Sequence, residues 1–275
     1  MSNNLFSDYR DFFRLIPSFA LVVYYLVYLM LLKSRSVKLS KTWFFPLFAI
    51  YIGLILATLL GIFLNGKDSS LSKHDSFFTV LIDALTPVNN RGKVMYGGYF
   101  GLIVGYLIMN FVTKRKSLPL FLDISAICTS LLFAVWRIGC FFGGCCYGRP
   151  SDTFGFSFPE GTNAFSLLRK TALVAGNATV PLLPTQLISF TGDFVIFLFL
   201  LILFLKRKTT YPYFYLFAHA LLYGIGRFTV EFFRIDPREF WGPLSMSQWI
   251  SLVLVAAALV FFIKNRKEIA ESFGK

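Results

Sequence analysis

Charge is what this chain has least of. Charged residues make up 15% of it, only 14 residues are acidic against 27 lysines and arginines, and there are only 2 histidines. Hydrophobic residues account for 56%, and the mean hydropathy is +0.65. That balance excludes a soluble single domain. The basic residues form no patch or basic helix that could track a phosphate backbone, which excludes nucleic acid as a partner. No internal repeat or low-complexity segment stands out, and the inverted halves expected of a secondary transporter are missing. The 4 cysteines are grouped as Cys128 and then Cys140, Cys145 and Cys146. A Cys-x4-Cys-Cys spacing with no histidine beside it is not an ordinary zinc pattern, so small apolar packing is the expected role, with a disulfide or an enzymic thiol as the alternatives. No metal site is expected, and no cofactor.

What is abundant is apolar sequence in runs close to the length a bilayer requires. They are Phe13–Leu32, Trp43–Leu64, Tyr96–Val112, Leu118–Phe141, Leu182–Leu205, Tyr213–Phe228 and Met246–Ile263. The expectation is an all-α integral membrane protein of about seven transmembrane helices, folded as one polytopic domain over residues 1–275. The first run is longer than a signal-peptide core and has no small-residue cleavage site after it, so it reads as a retained span. The linkers LKSRSVKLSK, TKRKS and KRKTT and the segment KNRK hold almost no acids. Basic residues in short loops stay cytoplasmic, which puts these four inside, the N-terminus out and the C-terminus in. Asp8, Asp11, Asp68, Asp75, Asp152, Glu160, Asp236 and Glu239 then lie outside.

Against this background, polar residues near the outer ends of spans stand out. Arg137 ends the fourth span in RIGCFFGGCCYGRP, where Gly139, Gly143, Gly144 and Gly148 permit tight turns and close approach of backbone to a ligand. A lone arginine there fits equally well as a side chain snorkelling to the interface. The sixth span closes with YGIGRFTVEFFRIDPRE, in which Tyr223, Arg227, Glu231 and Arg234 share one helical face. Arg227 and Glu231 at i,i+4 could be a structural ion pair, yet one glutamate does not neutralise three arginines at the same depth. The surplus positive charge points to an anionic ligand, and in an outer-leaflet cavity to a lipid phosphate. The glycines of RGKVMYGGYFG, at the start of the third span, suit either close helix packing or the floor of a cavity. His74, in an outer loop, and His219, in the inner half of the sixth span, fit no catalytic arrangement.

Taken in order along the chain, these motifs resemble the phosphatidylglycerol:prolipoprotein diacylglyceryl transferase family. RIGCFFGGCCYGR is similar to the family signature at Arg137, Gly139 and Gly148. YGIGRFTVEFFR is similar to the second signature and carries over Tyr223, Arg227, Glu231 and Arg234. YGGYFG matches the His-Gly-Gly segment at Gly97 and Gly98, YYLVY supplies Tyr24, and LPTQL supplies Pro184 and Gln186. The chain departs from the family where Tyr96 replaces the histidine, Cys140 replaces an asparagine and Cys145 replaces an acidic residue. The resemblance implies transfer of the diacylglyceryl group of phosphatidylglycerol to the lipobox cysteine of preprolipoproteins, the first step of lipoprotein maturation, at the bacterial cytoplasmic (inner) membrane. Its partners would be phosphatidylglycerol, preprolipoprotein signal peptides and the surrounding membrane lipids. It implies Arg137, Arg227, Tyr96 and Glu231 as catalytic residues. Tyr24, Gly97, Gly98, Gly139, Cys140, Gly148, Gln186, Tyr223 and Arg234 would bind substrate. Two other readings stay open: a lipid transferase of the same fold with another acceptor, and a non-catalytic carrier or binder of a lipid or anion.

Overall fold

The structure is a computed structural model that describes residues 7–65, 95–114, 117–207, 211–238 and 240–274. His74, Asp68, Asp75 and Glu239 lie outside the described residues. The protein is mostly helical. Seven long helices are described: α1 (Ser7–Ser34), α2 (Phe45–Asn65), α3 (Met95–Thr113), α4 (Leu118–Gly143), α6 (Thr185–Lys206), α7 (Phe214–Glu231) and α8 (Met246–Lys264). Each takes up one of the apolar runs to within a few residues, with Leu182, Leu183 and Pro184 falling in the segment before α6. Five of them, including α4, α6 and α8, are long and apolar enough to cross a membrane by length and composition. The short elements are α5 (Asn163–Leu168), the two-residue strands β1 (Val174–Ala175) and β2 (Ala178–Thr179), the hairpin of β3 (Phe240–Trp241) and β4 (Leu244–Ser245), and α9 (Arg266–Gly274).

The helices group into two compact units, Tyr25–Ser125 and the remainder of the chain. In the first, α3 lies on α2 through small residues. A Cβ on Gly97 would come within 2.5 Å of the Leu56 carbonyl oxygen, one on Gly101 within 2.5 Å of Gly53 Cα, and one on Gly105 within 2.6 Å of Ala49 Cα. The spacing of four puts all three glycines on one face of α3, where backbones can meet without side chains between them. Gly98 is less confined, its nearest neighbour being Ala57 Cβ at 3.9 Å. Elsewhere in this unit Tyr28 stacks on Tyr106 at 5.6 Å and donates to the Phe121 carbonyl at 3.4 Å.

In the second unit, one set of helix ends is tied together by a polar head. Residues 144–184 fold over a small core of Tyr147, Phe158, Ala164 and Leu182. This segment bridges to the residues after α7, with Arg149 N donating to Phe233 O at 3.0 Å and Ile235 N to Tyr147 O at 3.3 Å. The end of α4, the start of α6, the end of α7 and the start of α8 therefore lie at one side of the unit. The basic ends lie together as well: Arg207, just past α6, donates to Phe273 O in α9 at 2.9 Å, and Tyr211 donates to Asn265 at 3.1 Å. The helix flanks between head and basic ends present Val195, Phe199 and Leu205 on α6 and Val253 and Ile263 on α8, all exposed. An uninterrupted apolar surface of this kind is what lipid tails cover.

Candidate functional site

The turn after α4 is a Schellman cap. Gly144 takes a left-handed φ of 65°, its N–H returns to Phe141 O at 3.1 Å, and the N–H of Cys145 returns to Cys140 O at 3.1 Å. This 6→1 and 5→2 pair of bonds satisfies the last carbonyls of the helix. Cys146 is also left-handed, with φ 59°. The turn is clamped from α6 by the LPTQL segment: Gln186 Nε2 donates to Cys145 O at 2.5 Å, and Thr185 donates to Cys146 O. Gln186 is fully buried, and its Oε1 has no hydrogen-bond partner. Gly148 sits between two strands of backbone. A Cβ there would come within 2.8 Å of Leu183 O and 2.9 Å of Phe233 O, so its close approach is to the protein's own chain. A Cβ on Gly139 would meet Ile16 of α1 at an ordinary 3.4 Å, and Tyr24 on α1 is fully buried.

Below this turn, Arg137 of α4 is 3% exposed, and its Nε has no hydrogen-bond partner. It lines a cavity of about 50 Å³ together with Ser189, Gly192 and Asp193 of α6 and Tyr223, Gly226 and Arg227 of α7. Isoleucines 188 and 196 and Val230 complete the wall. The space is enough for a small polar group and far too small for an acyl chain. Asp193 is 6% exposed, with Arg137 and Arg227 as its charged neighbours, and its Oδ2 has no hydrogen-bond partner. Sequence reading missed it, although a carboxylate in the middle of the apolar stretch TGDFVIF is itself the signal, since charge at membrane depth marks function. Tyr223 packs its ring on His219 at 5.5 Å and on Phe133 at 5.0 Å.

Tyr223, Arg227 and Glu231 share one face of α7, whereas Arg234 lies past the end of the helix in a backbone bridge with Gly148, and Glu231 is the hub of the group. Arg227 Nη1 reaches Glu231 Oε2 at 2.5 Å, Arg234 Nη1 reaches the same oxygen at 3.3 Å, and Arg238 Nη1 reaches Oε1 at 2.7 Å. The Ser245 hydroxyl donates to Oε1 at 2.8 Å while its own oxygen caps α8 in a box with Gln248. Both Glu231 oxygens are thus engaged. Arg234 is held by Asp236 through two parallel bonds, 2.9 and 2.7 Å. Arg227 keeps a second contact to Ser247 Oγ at 3.1 Å. Four guanidiniums, of residues 137, 227, 234 and 238, share this region with three carboxylates, of Asp193, Glu231 and Asp236, so the arginines outnumber the acids by one.

The cysteines, expected to be packing residues, come together: the Sγ atoms of Cys140, Cys145 and Cys146 all lie within 4.8 Å of one another. Hydrogen bonds from Cys140 and Cys145, then Arg234 and Arg137, pull the Cys146 thiol well below its ordinary pKa. Bonds to Cys140 and Cys146, together with burial, push Cys145 up. Burial lowers the pKa of Arg234, but Cys146, Asp236 and Glu231 more than offset this and hold it above its usual value. Tyr96, Gly97 and Gly98 belong to the first unit, where Tyr96 is 3% exposed on the first turn of α3.

Residues 12–264 match the family described as prolipoprotein diacylglyceryl transferase. The chain belongs to that family. It is similar to the phosphatidylglycerol--prolipoprotein diacylglyceryl transferase 2 of Clostridium perfringens, at 35% identity over 66% of this chain and 67% of that protein. The phosphatidylglycerol--prolipoprotein diacylglyceryl transferase of Clostridium tetani is 33% identical over 64% of this chain and 65% of its own length. The one of Cupriavidus pinatubonensis is 30% identical over 78% and 72%. The protein is accordingly a transferase of the diacylglyceryl transferase family and a multi-pass membrane protein.

Proposed function

We propose that this diacylglyceryl transferase moves the diacylglyceryl group of phosphatidylglycerol onto the lipobox cysteine thiol of preprolipoproteins, in the bacterial cytoplasmic membrane. Family membership supports the reaction class. The observation that carries the lipid half is the cavity between α4, α6 and α7, with Arg137 and Arg227 in its lining and a buried Arg137 Nε that has no protein partner. A guanidinium stays charged at low dielectric and offers paired donors that fit phosphate oxygens. The acyl chains of the donor would extend beyond this small space, along the apolar flank of α6.

The reaction is a substitution at carbon: a C–S bond forms, a C–O bond breaks, and its electron pair leaves on the oxygen of glycerol phosphate. The arginines hold the leaving phosphate and stabilise its charge. The same cations favour the acceptor thiolate. Because both oxygens of Glu231 are taken by arginines and Ser245, we assign Glu231 to holding Arg227 in position, and we assign receipt of the thiol proton to Asp193. No histidine is required, in keeping with tyrosine at position 96.

The test is to incubate the purified protein with phosphatidylglycerol and a lipobox peptide and to measure the peptide's mass. A gain of one diacylglyceryl group that depends on the peptide's cysteine is the expected result. An unmodified peptide beside folded, lipid-binding protein would point to another acceptor.

A further inference from the structure

Neither the family's reaction nor the phosphate cavity makes use of the three thiols gathered after α4. The Schellman turn folds Cys145 back beside Cys140, and the left-handed backbone at Cys146 turns its side chain into the same space. Their sulfurs all lie within 4.8 Å of one another. A tetrahedral zinc with Zn–S bonds of about 2.3 Å sets its sulfurs about 3.8 Å apart. The trio therefore needs to close by only about 1 Å, which small side-chain rotations supply. Cys140 is buried while Cys145 and Cys146 are partly exposed, so an ion can reach the sulfurs. Among the described residues no histidine or carboxylate joins the group.

We propose that Cys140, Cys145 and Cys146 form a three-thiolate site for one soft divalent cation of the zinc and cadmium class. Soft thiolates select such ions over magnesium or calcium. Three thiolates and a divalent ion carry a net charge of minus one, and the electrostatic neighbours of these sulfurs are Arg137 and Arg234, which offset it. A closed structural site needs four protein ligands; three leave the fourth position to water or to a thiol from outside the chain. The carbonyls of Cys145 and Cys146, fixed by Gln186 and Thr185, hold the turn that presents the ligands, as groups outside the coordination sphere do in metal sites.

The test uses the full-length chain in detergent, reduced and freed of reductant without air, and titrated with cadmium and separately with cobalt. One ion per chain is expected, with thiolate-to-metal charge-transfer absorption. Cys145→Ala and Cys146→Ser should each weaken binding by more than the roughly 10- to 100-fold that loss of an outer-shell group costs. Cys128→Ala should bind as the parent does, because Cys128 is buried in α4 apart from the trio. Thermal unfolding of each variant confirms its fold. Absorption unchanged in Cys145→Ala and Cys146→Ser, or no binding by folded parent protein, would overturn the site. So would a trio isolated as a disulfide that takes up no ion after reduction.

Discussion

The proposed chemistry rests on Arg137, Arg227 and Asp193, and each makes a separable prediction. If Arg137 and Arg227 hold phosphate through paired donors, lysine at either position keeps the charge and loses the fork. A hydrogen bond to a charged group is worth about 1.5–3 kcal/mol. Arg137→Lys and Arg227→Lys should therefore each lose about tenfold to a hundredfold in peptide modification while the protein still inserts and folds. Full activity in both would remove the clamp. Asp193→Asn keeps shape and hydrogen-bonding capacity but takes no proton. It should cost on the order of a hundredfold or more, the usual scale for a general base, and flatten the acidic limb of the pH–rate profile. An unaltered limb would return the proton to solvent. Tyr96→Phe should keep substantial activity, since no step is assigned to its hydroxyl; a loss as deep as that of Arg227→Ala would make the tyrosine the base after all.

The arginines were legible because charge stands out in apolar sequence and because a four-residue spacing puts Arg227 and Glu231 on one face. Asp193 stands alone in α6, and its charged neighbours come from α4 and α7, so no local pattern links it to the site. The cysteine trio was hidden for another reason. Metal-site spacings describe chains that reverse in the usual turns, whereas here a helix cap and a left-handed cysteine bring the sulfurs together.

At the level of elements, glycines decide how closely backbones meet, and the two adjacent glycines of YGG divide the labour. A Cβ on Gly97 would come within 2.5 Å of backbone on α2, and one on Gly98 would meet ordinary contacts at 3.9 Å. Gly97→Ala should separate α3 from α2 and cost about 1–3 kcal/mol, the usual penalty of overpacking. Gly98→Ala should leave thermal stability in detergent unchanged. If the two variants melt alike, packing does not explain the pair. Sequence left the choice between packing and cavity floor open, because an i,i+4 row of small residues reads the same until its neighbour is known. Gly148→Ala extends the argument to the head. Two carbonyl oxygens lie within 2.9 Å of its would-be Cβ, so it should destabilise the protein by a similar amount, and the loss should also weaken peptide modification because the same backbone pairing positions Arg234.

Over the whole molecule, seven runs of bilayer length became seven helices, since an apolar stretch in lipid can satisfy its backbone only as a helix. Within the second unit the head-side ends of α4, α6, α7 and α8 lie together and the basic ends of α6 and α8 lie together, as alternating spans require. Which side faces the cytoplasm then follows from charge. Lys206 ends α6 and Arg207 follows it, Lys264 ends α8, and Arg266 and Lys267 open α9. Lysines and arginines in short loops remain on the cytoplasmic side, so we propose that the head and the cavity beneath it face outward. We expect a membrane-impermeant thiol reagent applied to intact cells to modify a cysteine placed at Asn163, in α5 of the head, and to spare one placed at Lys114, just past α3. Peptide mapping distinguishes these from the partly exposed Cys145 and Cys146. Modification at Lys114 but not at Asn163 would invert the topology, place the phosphate cavity in the inner leaflet, and rule out an acceptor presented from outside.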